Sequence, residues 1–165
     1  MGKKKWGYLL FILLILVILA IFLYPVSCLE VRTEKEPQIL LVKKVSSGEQ
    51  FEFYYIHSVD KTPVSGHFLI TSKGMIKPIE THFLSYGPGL PSVEDKVIIE
   101  KGRMKARPEV EEMKQFSFFV SPFTNQCLVF KGERLDFSSV KEGEVITVEV
   151  KHYPVGGLIF RHGRK

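Results

Sequence analysis

Two kinds of hydrophobic spacing divide the chain. From Trp6 to Leu29 no residue is charged, and Tyr8 to Tyr24 is apolar at all 17 positions, so the stretch has no polar face. As a helix rising about 1.5 Å per residue, it spans roughly 26 Å, close to the ~30 Å hydrocarbon core of a bilayer. Trp6, Tyr8 and Tyr24 mark its ends, where amphipathic rings favour the headgroup layer, and Pro25 stops it. Beyond this stretch the spacing falls to two. Phe51, Phe53, Tyr55 and His57 alternate with Glu52, Tyr54 and Ile56, which predicts a strand. Ile39–Val45 is aliphatic and β-branched and runs into a turn at Ser46-Ser47-Gly48. Phe68–Thr71 and Met75–His82 flank Ser72-Lys73-Gly74. Val97–Glu100 and Arg103–Ala106 flank Lys101-Gly102, and Cys127–Phe130 and Arg134–Phe137 flank Gly132. Val145–His152 closes the series.

Short strands joined by glycine turns predict an all-β fold, an antiparallel sandwich or a barrel. Pro108–Gln115 is the one helix expected outside the membrane segment, with Pro in the first turn and Glu109, Glu111 and Glu112 at its positive end. The expected organisation is a membrane anchor over residues 1–29, a charged spacer over 30–37 and a β domain over 38–165. Eleven of the thirteen Phe lie in that domain, enough to fill one core.

Charge refines this picture. The net charge is +5, from 23 basic and 18 acidic side chains, and Lys3, Lys4 and Lys5 precede the apolar stretch. The remaining 20 basic and 18 acidic groups nearly balance, which excludes a strongly basic nucleic-acid binder and a polar disordered chain. The lysine triplet predicts a cytoplasmic N-terminus and an extracytoplasmic β domain. A cleaved signal peptide has a shorter apolar region and small residues before its cut, and neither is present. A lipoprotein signal would make Cys28 the modified residue, but Pro25 stands where an aliphatic residue is usual. Residue 6 is Trp, so the myristoylation pattern fails. Cys127, in an apolar run, reads as a buried thiol.

Candidate chemistry concentrates in His57-Ser58-Val59-Asp60-Lys61-Thr62-Pro63-Val64, where a strand end gathers donors and acceptors before a rigid Pro. It reads either as a polar pocket or as a turn whose Asp60 or Thr62 bonds nearby backbone. His57 and Ser58 are adjacent, so in a strand they face opposite ways and make no nucleophile–base pair. No G-x-S-x-G elbow exists, and the pattern predicts a non-enzymatic role without a bound cofactor. A metal site would draw on His57, His67, Glu80, His82 and His152. Only Glu80 and His82 share a strand face by spacing, and the tight spacing of zinc sites is absent. Tyr86-Gly87-Pro88-Gly89-Leu90-Pro91 reads as a rigid turn, since Pro88 and Pro91 remove two amides that a phosphate cradle would need. The basic tail Arg161-His162-Gly163-Arg164-Lys165 reads as a solvated terminus, or as a contact for anionic headgroups if folded back.

The run His57–Val64, with Glu80-Thr81 and then Ser85-Tyr86-Gly87-Pro88-Gly89-Leu90-Pro91, resembles a family of small prokaryotic proteins described as domain of unknown function DUF1850. Its members pair an N-terminal hydrophobic segment with a strand ending in His-Ser-Val-Glu/Asp-Lys-Thr-Pro-Val. A Glu-Thr and a Ser-Tyr-Gly-Ala-Gly-Leu-Pro follow. The likeness covers residues 37–155. Pro88 replaces the usual Ala, and Ser65-Gly66 stand where members often carry Glu. The resemblance implies company with TRAP transporters of the TAXI type, which combine a solute-binding protein with membrane permease subunits. It implies no catalytic residue. It marks His57, Ser58, Asp60, Lys61, Thr62, Glu80, Ser85, Tyr86 and Gly87 as one polar patch for a partner or ligand. The leading expectation is an accessory of such a transporter; the alternatives are a membrane-tethered ligand or metal sensor, and a tethered hydrolase.

Overall fold

The computed structural model describes residues 2–85, 96–100 and 102–161. A 22-residue helix α1 (Gly2–Leu23) leads into β1 (Pro25–Thr33), β2 (Ile39–Lys44), β3 (Gln50–Ile56), β4 (Pro63–Ile70) and β5 (Ile76–Phe83). Then come β6 (Lys96–Glu100), β7 (Arg103–Arg107), β8 (Gln115–Phe119), β9 (Cys127–Phe130), β10 (Glu133–Asp136), β11 (Val145–Pro154) and α2 (Val155–Arg161). The strands make two antiparallel sheets, ordered β2-β1-β11-β8 and β10-β9-β3-β4-β5-β7-β6. They form a sandwich, and no closed barrel is present among the described residues. No residue of the apolar window Trp6–Leu23 is buried by the rest of the protein, as a lipid-facing helix requires. The chain is a single-pass membrane protein carrying a β domain.

Alternation builds the core. Phe51 and Phe53 of β3 and Phe68 and Ile70 of β4 meet Leu29 and Val31 of β1, Ile146 and Val148 of β11, and Phe116 and Phe118 of β8. Their rings interlock: the Phe53 centroid lies 4.4 Å from that of Phe118, and Phe51 stacks on Phe68 at 4.9 Å. A smaller cluster of Val64, Phe83, Met104 and Ala106 fills the part of the larger sheet built on β5 and β7. Lys131 and Gly132 both have positive φ (52° and 77°), which gives the two-residue β9–β10 turn the twist a hairpin needs.

Three expectations need correction. Residues 25–29, assigned to the anchor, and 30–33, assigned to a charged spacer, form β1, paired with β11 on one side and β2 on the other. The charges of this segment are lateral partners of the sheet. Arg32 Nε donates to Glu149 (2.9 Å), and Glu30, its side chain only 2 % exposed, accepts from Lys151 Nζ (2.7 Å) and from the Tyr153 hydroxyl. Leu29 and Val31 meanwhile face the core. Cys28 is accordingly a buried thiol within β1, like Cys127 in β9. Second, Pro108–Gln115 is not helical. Met113 exchanges both backbone hydrogen bonds with Ile76 (2.8 Å each), and Gln115–Phe119 forms β8, whose Phe116 and Phe118 reach the core. Burial of those rings outweighs the local helix preference. Third, residues 155–161 form a helix, α2, where no helix was expected; of the basic tail 161–165, residues 162–165 lie outside the described residues.

Candidate functional site

The distinctive octapeptide is the β3–β4 connection. Alternation carries Phe51, Phe53 and Tyr55 inward along β3, and the Ile56 amide ends the strand by donating to the Thr124 carbonyl (2.6 Å). The chain then turns sharply. The His57 amide donates to Thr62 O (2.8 Å) and the Lys61 amide to His57 O (3.0 Å), with Lys61 left-handed at φ 54°. Pro63 starts β4. The imidazole folds over the turn, and Nδ1 accepts from the Asp60 amide (3.2 Å) and the Val59 amide (3.4 Å), which leaves the ring proton on Nε2.

Side chains lock this turn to the end of β5. Ser85 Oγ donates to Asp60 Oδ2 (2.9 Å), and Thr62 Oγ1 lies 3.2 Å from Ser85 Oγ. The Asp60 carboxylate is 3.7 Å from His57 Nδ1. This order is wrong for a hydrolytic triad, in which the serine bonds the histidine and the carboxylate orients the ring. Here the carboxylate holds the serine directly, and the Nδ1 of His57 is taken up by the turn. Ser58 is exposed on the outer side of the turn.

The nine residues of the expected patch therefore separate. His57, Asp60, Thr62 and Ser85 form one hydrogen-bonded unit, with Ser58 and Lys61 exposed beside it. Glu80 belongs to another group on the outer face of the larger sheet. It accepts from Arg107 Nε (3.4 Å) and bonds His82 Nε2 (2.5 Å), and His82 packs against His67 with centroids 4.3 Å apart. The His82 hydrogen bond, reinforced by Arg107, holds the Glu80 carboxyl below its ordinary range. Burial, and then the neighbouring His82, push His67 below the usual histidine value. His67 Nδ1 is 3.7 Å from Glu52. Among the described residues no group of three or more His, Cys, Asp or Glu is arranged to hold a metal ion. Tyr86 and Gly87 lie outside the described residues.

The surroundings of the turn add what the sequence did not single out. The β8–β9 loop that anchors Ile56 also brings Phe123 to the turn, with Lys61 Nζ 6.0 Å from its ring centroid. Phe123 is 69 % exposed, Val59 65 % and Phe119 68 %. Beside them a recess is lined by residues including Pro122, Asn125, Gln126 and Glu142. Topology places all of this at the end of the sandwich opposite α1. β1 leaves the membrane at Pro25, Thr33 pairs with Ile146, Val145 pairs with Phe119, and the Val120 amide donates to Glu144 O. At about 3.3 Å per residue, the nine residues of β1 set this end roughly 30 Å beyond the anchor.

No curated protein and no solved structure is detectably similar to the chain. A family model described as "Domain of unknown function (DUF1850)" matches residues 51–137, which takes in the polar turn, Ser85, β8 and nearly all of the larger sheet. That match spans more than half of the sequence, and the chain belongs to the DUF1850 family.

Proposed function

We propose that this protein is a non-enzymatic accessory of a TRAP-type transporter of the TAXI class, with its N-terminus in the cytoplasm and its β domain outside. The far end of the sandwich holds the partner. One observation carries the reading: a rigid polar turn with exposed Ser58 and Lys61 stands beside exposed Phe123, Val59 and Phe119, at the end of the sandwich opposite α1. Exposed aromatics around a fixed polar centre suit a protein interface, where a few large apolar anchors supply the affinity and charged groups set register. The family's implied company with TRAP systems narrows the partner, and the height of roughly 30 Å favours the solute-binding protein over the membrane-embedded permease. The three N-terminal lysines support the orientation.

The test is co-purification from native membranes in mild detergent, with partner chains identified by mass spectrometry. Phe123→Asp and Lys61→Ala should each deplete the solute-binding protein at least tenfold while leaving the melting temperature of the domain within a few degrees. Undiminished recovery with both variants would refute the proposed surface. Recovery of the protein alone would refute the transporter role.

A further inference from the structure

We infer that α2 is a second contact with the bilayer, lying in the headgroup–acyl boundary of the outer leaflet against the end of α1. This rests on the membrane span and is independent of the proposed transporter role. β11 runs antiparallel to β1 and pairs Pro154 with Pro25, so the chain comes back to the point where it left the membrane. The Val155 amide then donates to the Tyr24 carbonyl (3.0 Å), directly joining the first residue of α2 to the end of the anchor. The close approach uses glycine. A side chain at position 156 would overlap the Phe22 ring, which is 40 % exposed where Ile21 and Leu23 are about 60 % exposed.

The composition of α2 fits that place. Val-Gly-Gly-Leu-Ile-Phe has no charged or hydrogen-bonding side chain, and a helix is the form in which such a segment can meet lipid without exposing backbone groups. Among the described residues, the notch at the α1–α2 junction is lined by Ala20, Ile21, Tyr24 and Val155, a surface suited to an acyl chain. Basic residues Arg161, Arg164 and Lys165 follow in the sequence, as in interfacial segments that favour anionic headgroups. A domain held at both the start of β1 and the end of β11 has a fixed tilt, which keeps its far end at a constant height.

The experiment uses the full chain in vesicles of phosphatidylcholine and phosphatidylglycerol. Trp6→Phe removes the only tryptophan, and Leu158→Trp or, as a reference at the far end, Phe119→Trp adds one back. Replacing the phosphatidylcholine with its brominated form should lower the emission of the Leu158→Trp protein at least twofold, with little quenching by acrylamide. The reference should show the reverse. Acrylamide quenching of the Leu158→Trp protein as strong as that of the reference would overturn the inference by placing α2 in water. Protection from both quenchers would overturn it equally, by showing that protein covers the helix. If the Leu158→Trp protein does not accumulate, Phe160→Trp is read by the same criteria.

Discussion

If residues 25–33 are a central strand, a domain cut just after them should not fold. A fragment beginning at residue 34 loses all of β1. Leu29 and Val31 are fully buried, and withdrawing two such side chains removes about 3–6 kcal/mol of hydrophobic stabilisation. The loss spreads, because among the described residues β2 pairs with β1 alone and carries Leu40 and Leu41 against the core. β11 would also lose its ladder over nine residues. With these further losses the deficit becomes comparable with the net stability of about 5–15 kcal/mol of an ordinary domain. Urea unfolding followed by near-ultraviolet circular dichroism decides the matter. Residues 25–165 should show one cooperative transition, and residues 34–165 should show none. The single substitution Leu29→Ala in the longer fragment should cost about 2–5 kcal/mol and lower the melting temperature by on the order of 10 °C. A cooperative transition for residues 34–165 at the same midpoint would refute the assignment of β1 to the core.

Other consequences follow from the same geometry. Removing Lys151 takes the 2.7 Å ammonium contact from the buried Glu30 carboxylate and leaves the longer contact to Arg32 Nε (3.6 Å), whereas removing Glu30 leaves a half-exposed lysine that still pairs with Glu149 (3.0 Å). Lys151→Met should therefore destabilise by about 2–4 kcal/mol and Glu30→Gln by less, roughly 1–2 kcal/mol, in urea titrations at neutral pH. His67 binds its proton less readily in the folded state, so its neutral form contributes stability that is complete above the unfolded value near 6.5 and declines as pH falls from there through the folded value. His67→Gln should accordingly flatten the dependence of the urea midpoint on pH between 7.5 and 5.5. Glu80 contributes as an anion in the same direction, with stability present above its unfolded value near 4.5 and lost as pH falls through the depressed folded value. Glu80→Gln should narrow the gap in urea midpoint between pH 5 and pH 3. Gly132→Val forces a β-branched residue into φ 77°, and should cost more than the ~1 kcal/mol typical of a simple glycine replacement.

What was legible in the sequence depended on how local its cause is. Cys127–Phe130 is a strand at the expected residues because its apolar run and the Gly132 turn are neighbours. β1 was hidden because Glu30 and Arg32 resemble a solvated spacer, and only residues 149–153, far along the chain, turn them into sheet partners. Pro108–Gln115 carries sound helix signals that yield to the pairing of Met113 with Ile76 and the burial of Phe116. The same division holds for the site. The turn of His57–Thr62 and its tie to Ser85 lie within motifs that stand out in the sequence. Glu80 was grouped with them by motif, yet its strand position points it to His82 and Arg107. Phe123 carried no local mark, and it reaches the turn only through the bond from Ile56 to Thr124.

The proposed role of the far end can be tested most directly by site-specific photocrosslinking in native membranes. A photoreactive amino acid is placed at position 123, and as a reference at position 73 in the β4–β5 turn, at the opposite end of β4 from the His57–Thr62 turn. The account expects a crosslink to the TRAP solute-binding protein from position 123 and none from position 73. Crosslinks to the permease from position 73 alone, or no crosslink from position 123 while the transporter is present, would contradict it.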